Sequence, residues 1–222
     1  MDKRNEKDEV SASWILDRIN PGISPTKLIG VYDEICSNYD KNVVILDYGG
    51  PSTAAEEIAN MVPEKKRQQV RVLDVAAGTG LVGCHLHKKG FTNIDALEPS
   101  EGMMNILKKT GVYTLKYQEF IGTGHSTVPK DTYEVVVVCG SLAPGHIQVE
   151  GINDLINVAK PGGLVVILMR LEFFLTHDEY KDKMENFMDR LEKTNVWRKE
   201  VKKTVPNFYS GKEGILFIYR VL

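Results

Sequence analysis

"VLDVAAGTGLVG", residues 72–83, decides the fold. A short apolar run carrying one carboxylate, Asp74, passes directly into Gly78, Gly80 and Gly83 at GxGxxG spacing, and helical periodicity follows. A strand, a glycine turn and a helix in that order bring the free N–H groups of a helix start to the carboxyl edge of a sheet. A glycine backbone there lets a ligand come close.

Downstream the alternation continues. "LVGCHLHKKG" reads as a helix, "NIDALE" as a strand, and "EGMMNILKKTG" as a helix with Gly111 past its end. "YTLKYQEF" and "YEVVVVCG" read as strands, "GINDLINVAK" as a helix and "GLVVILMR" as a buried strand. Such alternation builds a parallel sheet covered on both faces, an α/β doubly wound, Rossmann-like fold. A helix is predicted over Thr176 to Thr194. The runs "VWRKEVKKTV" and "GILFIYRVL", joined by the turn-rich "PNFYSGKEG", then have to pair antiparallel.

Upstream, residues 1–12 are a mixed-charge tract expected to be disordered, and residues 13–65 read as a helical cap or lid on a core at 66–222. Asn20-Pro21-Gly22 and Gly49-Gly50-Pro51 break the cap, and Ser52-Thr53 is the expected start of its second helix.

With 222 residues and a formal charge of -2, the chain offers no concentrated basic face for nucleic acid. Cys36, Cys84 and Cys139 are scattered without CxxC spacing, which argues against a disulfide framework or a zinc site. No apolar run is long enough to span a bilayer, and the N-terminus has no secretory h-region, so a cytoplasmic setting is expected. His85 and His87, two apart on a helix, point to opposite sides and cannot share a metal ion.

Glu98 closes the second strand, where a carboxylate can accept both vicinal hydroxyls of a ribose; with the glycines this predicts an adenosine-bearing ligand. Three features tilt the choice away from NAD. Asp74 sits inside a buried strand, where a ligand ammonium would give it a reason. About 70 residues precede the glycine loop, and none of the nine tyrosines is followed four residues later by lysine, as a short-chain reductase requires.

"VLDVAAGTG" followed by "IDALEPSEGMM" resembles the first two motifs of the class I S-adenosylmethionine-dependent methyltransferases. A closer likeness, through "YDEICSNYD", "VAAGTGLVG" and "AKPGGLVVILMR", is to the methyltransferase-like proteins of the Williams–Beuren region. The resemblance implies strand order 3-2-1-4-5-7-6 and S-adenosyl-L-methionine as cofactor. It implies that Gly78 and Gly80, with Ala76 and Thr79 between and beside them, approach the methionine and ribose portions. Asp74 fixes the loop and the cofactor's amino end, Glu98 holds the ribose, and Pro99 and Ser100 shape the adenine wall. Met103 or Met104 packs on the adenine or belongs to the core. The acid usual after the third strand is missing from "FIGTGHS", which leaves Gly122 and Thr123 for the adenine edge. Tyr32 and Tyr39 either close over the sulfonium or anchor the cap.

In this fold the loop "CGSLAPGHIQ" faces the donor methyl, with Cys139 at its start as a small buried thiol. His146 is the candidate base or a structural histidine, and Ser141 a positioning group. Arg170, with Phe173 and Phe174, is placed at the acceptor cavity, or the phenylalanines at the core. The expected activity is methyl transfer to an O or N atom of a small molecule. The rivals are a non-catalytic protein of this fold acting through a partner and an NAD-dependent oxidoreductase.

Overall fold

The structure, a computed structural model, describes residues 23–222. The expected N-terminal tail and the helical pattern from Ser13 to Asn20 lie outside the described residues. Two helices come first, α1 (Pro25–Ile45) and α2 (Gly50–Met61). The alternating part follows as β1 (Arg71–Val75), α3 (Leu81–Lys88), β2 (Asn93–Leu97), α4 (Glu101–Lys109), β3 (Lys116–Tyr117) and β4 (Tyr133–Cys139). It continues with α5 (Ile152–Val158), β5 (Ala159–Arg170), α6 (Leu171–Thr176) and α7 (Lys183–Lys193), and ends in β6 (Trp197–Tyr209) and β7 (Lys212–Val221).

The seven strands form one sheet in the order β3-β2-β1-β4-β5-β7-β6. Pairing is parallel from β3 to β5 and antiparallel for β7 with both β5 and β6. Strand order reverses between β1 and β4, so their carboxyl ends open a crevice at the switch point. The valine run of β4 and the apolar β5 are buried on both faces, as strands sandwiched by helices must be. One face packs Ala54, Ile58, Leu86 and Leu107 from α2, α3 and α4. The other packs Ile152, Leu155, Met184 and Met188 from α5 and α7. Thus α2 is a layer of the sheet's own packing, while α1 lies outside both layers, with a small apolar cluster of Ile35 and Met103 beneath it.

Three sequence expectations are corrected. The helix expected over Thr176 to Thr194 starts only at Lys183, as α7, and a turn through His177 to Asp182 separates it from α6, which ends at Thr176. Buried Tyr180 explains the break: its hydroxyl reaches the carbonyls of Ala143 and Ile147, 2.8 Å each, an anchor that a continuous helix would not present. The second helix starts at Gly50 with Pro51 in its first turn, and Ser52 donates back to the Gly49 carbonyl at 2.9 Å instead of capping. The third strand shrinks to Lys116–Tyr117, a short edge that blunts unwanted pairing. No helix among the described residues is long and apolar enough to cross a membrane.

Candidate functional site

A cavity of about 520 Å³ lies over the carboxyl ends of β1, β2 and β4, under the inner face of α1. Asp74, Ala76, Gly78, Thr79, Glu98, Pro99, Met103, Gly122, Thr123, Cys139, Ser141, His146, Tyr32 and Tyr39 all line it. Residues from five separate sequence regions therefore meet at one crevice.

The glycine loop is built for close approach. Gly78 has φ +57, and Ala76, a non-glycine, is held at φ +52 in the left-handed region. The loop is fixed from the second strand: Glu98 Oε2 accepts the Gly78 N–H at 2.8 Å and Oε1 accepts the Ser100 N–H at 2.9 Å. Burial raises the pKa of Glu98, and these two backbone donors pull against that rise. Each oxygen keeps a second acceptor direction for a ligand.

Asp74 has protein partners, so a ligand ammonium is not its only reason to be there. The Tyr113 hydroxyl donates to Oδ2 at 2.6 Å and the Gly83 N–H at 3.2 Å. Both reach the same oxygen of a residue that lines the cavity, so neither bond uses Oδ1. Burial pushes the Asp74 carboxyl up to about 7, against those two hydrogen bonds. A cation brought to Oδ1 would draw it back toward the charged form.

Two expected cofactor residues stand behind the wall. Gly80, at φ +94, packs on Tyr113 and lies outside the cavity lining. Ser100 accepts the Met103 N–H at 3.0 Å as the cap of α4 and donates to Asp33 at 2.6 Å. Both therefore support the loops that touch the cavity. Met103 lines the cavity, whereas Met104 belongs to the sheet packing. Arg170 does not line this cavity and is treated below. Cys139 does line it, but burial pushes its thiol up to about 12 and its Sγ lies 3.6 Å from the Tyr48 hydroxyl, so it is no nucleophile at neutral pH.

Several residues escaped the sequence reading. In Tyr32-Asp33 and Tyr39-Asp40 the tyrosines line the cavity and the acids latch the helix. Asp33 accepts from Ser100 and from the Gly102 N–H at 2.8 Å, while Asp40 accepts the Thr79 hydroxyl at 2.6 Å. The seven-residue repeat of that pair was the available signal, since it places both acids on one helical stripe. Asp154 on α5 accepts the N–H groups of Gly122 and Gly124, at 2.9 and 3.1 Å. That carboxylate holds the acid-free loop, and Phe120, Gln148 and Glu150 complete the same end of the cavity.

His146 is not a free base. Its Nδ1 lies 3.0 Å from the Pro144 carbonyl oxygen, which can only accept, so Nδ1 carries the hydrogen. The Nε2 lone pair then accepts the Tyr32 hydroxyl at 2.8 Å. Burial lowers the histidine's pKa and raises that of Tyr32, which keeps the pair neutral.

The cavity fits an adenosine-bearing sulfonium. Its volume is that of a small-molecule site, with Glu98 and Asp74 as separated acceptors, apolar Leu97, Met103 and Ile121 in its wall, and Tyr32 and Tyr39 from α1. Among the described residues no cluster of histidine, cysteine or carboxylate side chains could hold a metal ion.

Comparison with known proteins agrees. A model of the ubiE/COQ5 methyltransferase family matches residues 22–200. The human methyltransferase-like protein 27 is 31% identical over 75% of this chain and 66% of its own. The ubiquinone/menaquinone biosynthesis C-methyltransferase UbiE of Campylobacter jejuni is 23% identical over 64% of this chain and 63% of its own, so the chain spans less than two thirds of either relative. A crystal structure of a TehB-like SAM-dependent methyltransferase from Corynebacterium glutamicum covers 87% of this chain and all of its own with a TM-score of 0.60 at 15% identity, which shows the shared fold. The crevice at the switch point, the loop it is built from and the matched family model lead to one assignment: the chain belongs to the ubiE/COQ5 methyltransferase family.

Proposed function

We propose that this protein transfers a methyl group to an O or N atom of a small molecule, and that Tyr32, backed by His146, takes up the acceptor's proton. The observation that carries the reading is the 2.8 Å contact between the Tyr32 hydroxyl and His146 Nε2 at the cavity wall. When bound, S-adenosylmethionine supplies an electrophilic methyl on a sulfonium, with a neutral thioether as leaving group. The chain's residues then have four tasks. Glu98 would bind the ribose hydroxyls, and Asp74 with Gly78 the amino-acid end. Met103, Pro99, Ile121 and Thr123 would enclose the base. Tyr32 and Tyr39, latched through Asp33 and Asp40, would cover the cation and exclude water.

An acceptor that must lose a proton hands it to the Tyr32 oxygen while the Tyr32 proton moves to Nε2. Tyr32 is then the catalytic group and His146 a positioning group that receives the proton. The relatives' names support a small-molecule acceptor. The C-methyltransferase named among them favours a carbon acceptor as a second reading, served by the same proton transfer.

Thermal unfolding with S-adenosylhomocysteine and with NADH tests the cofactor side. At about 100 times its Kd the first should stabilise the native state by about 3 kcal/mol, and NADH should leave the melting point unchanged. A shift with NADH alone returns the oxidoreductase, and no shift with either returns the binding-protein rival. Release of S-adenosylhomocysteine with a panel of quinols, phenols and amines tests the dyad. Tyr32→Phe and His146→Ala should each lower turnover about a hundredfold, and the double variant little further, because the two act as one unit. Their affinity for S-adenosylhomocysteine should stay within a few fold. Full turnover in Tyr32→Phe would remove the proton relay.

A further inference from the structure

A second cavity, of about 380 Å³, adjoins the first and shares Tyr32, Tyr39, Tyr48, Gly140 and His146 with it. We propose that this chamber is the acceptor site and that it selects a planar, largely apolar molecule carrying one anionic oxygen group, which Arg170 holds. The proposal rests on the methyltransferase reading for the word acceptor, but its anion selectivity stands on the chamber alone.

The position comes first. The residues common to both cavities include the tyrosine and histidine assigned to proton transfer, so the two chambers adjoin at those groups. Arg170 ends β5, and α6 begins at the next residue, so the guanidinium enters the chamber at the same edge of the sheet as the donor crevice.

The chemistry of the walls sets the ligand class. Tyr48, Phe173, Phe208 and Tyr209 line it with aromatic rings, which suit a flat apolar body. The Arg170 guanidinium carbon lies 4.0 Å over the Tyr209 ring and 4.9 Å over the Phe173 ring. Stacking occupies the faces of the guanidinium and leaves its N–H edges for an acceptor in its own plane. Among the described residues no carboxylate pairs with it. The one acid in the chamber lining, Glu172, reaches Lys212 instead, at 3.2 Å. A guanidinium resting on two rings, with no carboxylate partner among the described residues, is a receptor for a carboxylate or phenolate, to which it can donate two parallel hydrogen bonds. Phe173 lines the chamber, while Phe174 is buried against Phe217 in the core, which separates the two phenylalanines that the sequence left together.

Two probes of one shape and different charge test this: 2-naphthoate and 2-naphthamide, titrated calorimetrically into the full chain with and without saturating S-adenosylhomocysteine. The acid should bind at least about tenfold more tightly than the amide. Arg170→Gln should abolish that preference, Arg170→Lys should keep part of it, and Phe173→Ala should weaken both probes alike. Equal affinities in the unaltered protein, binding of neither probe, or a preference that survives Arg170→Gln would each overturn the proposal. The comparison in the unaltered protein decides even if a variant fails to fold. Normal affinity for S-adenosylhomocysteine without discrimination between the probes keeps the methyltransferase reading and removes this one. Discrimination without that affinity does the reverse.

Discussion

Glu98→Gln should weaken S-adenosylhomocysteine binding about a thousandfold, more than its loss of a single charge suggests. Both carboxylate oxygens already accept backbone N–H groups, from Gly78 and from Ser100. A glutamine has one acceptor oxygen and one NH₂, so in either orientation a donor faces a donor. One of the two loops has to move. If the Gly78 side moves, the close approach of the glycine backbone is lost. If the Ser100 side moves, the start of α4 and its bond to Asp33 are disturbed. The remaining acceptor directions, assigned to the two ribose hydroxyls, also lose their charge, and a hydrogen bond to a charged group contributes about 1.5–3 kcal/mol. Two such bonds plus a displaced loop give the expected factor. Titration calorimetry reads it directly, with the melting point of the unliganded variant as control for folding. A Kd within about tenfold of the original would detach the ribose from Glu98.

The fold was legible where its signal is local. The apolar run of β1, the glycine turn and the helix after it lie within one stretch of sequence, and the same holds for β2 with Glu98. Backbone sterics and burial on both faces decide those elements without help from elsewhere. The order of the outer strands came from resemblance, since nothing in β6 or β7 alone says that the pair inserts β7 beside β5. The long helix predicted over Thr176 to Thr194 failed for a tertiary reason: Tyr180 is pulled into the core by carbonyls more than thirty residues earlier.

The site divides along the same line. Most residues within the motifs line the cavity, as their place in the sequence suggests, but those that hold them carry no local signal, because their partners are distant. Tyr113 carries no mark that it will donate to Asp74, and Asp154 none that it will hold Gly122. Gly80 and Ser100 show the opposite case: the resemblance assigned them to the cofactor, and the structure places both outside the cavity lining, one against Tyr113 and the other capping α4. His146 was found for the right loop, yet the sequence could not show that Tyr32, 114 residues away, takes its lone pair.

Gly83→Ala should destabilise the protein by about 3–4 kcal/mol, although helix propensity alone favours alanine over glycine by about 1 kcal/mol. Gly83 lies inside α3 without the left-handed φ of its neighbours Gly78 and Gly80, so its backbone would tolerate a side chain. The obstacle is Tyr113. An added Cβ would stand 2.7 Å from its Cε1 and closer still to its Cζ and hydroxyl oxygen. That ring is buried, and its hydroxyl is committed to Asp74 at 2.6 Å and to the Gly83 N–H at 3.1 Å. Moving the ring strips the buried Asp74 of its shorter hydrogen bond, which alone costs about 1–3 kcal/mol, and adds the strain of overpacking, about 1–3 kcal/mol more. Together they outweigh the propensity gain. Tyr113→Phe isolates the first contribution, since it removes the hydroxyl and keeps the ring, and should lose less than Gly83→Ala. Urea midpoints at unchanged m-value measure both. A Gly83→Ala midpoint at or above that of the parent would mean that the third glycine is free of Tyr113. Asp74 would then hold its place in the strand without the contact that ties it to the next layer.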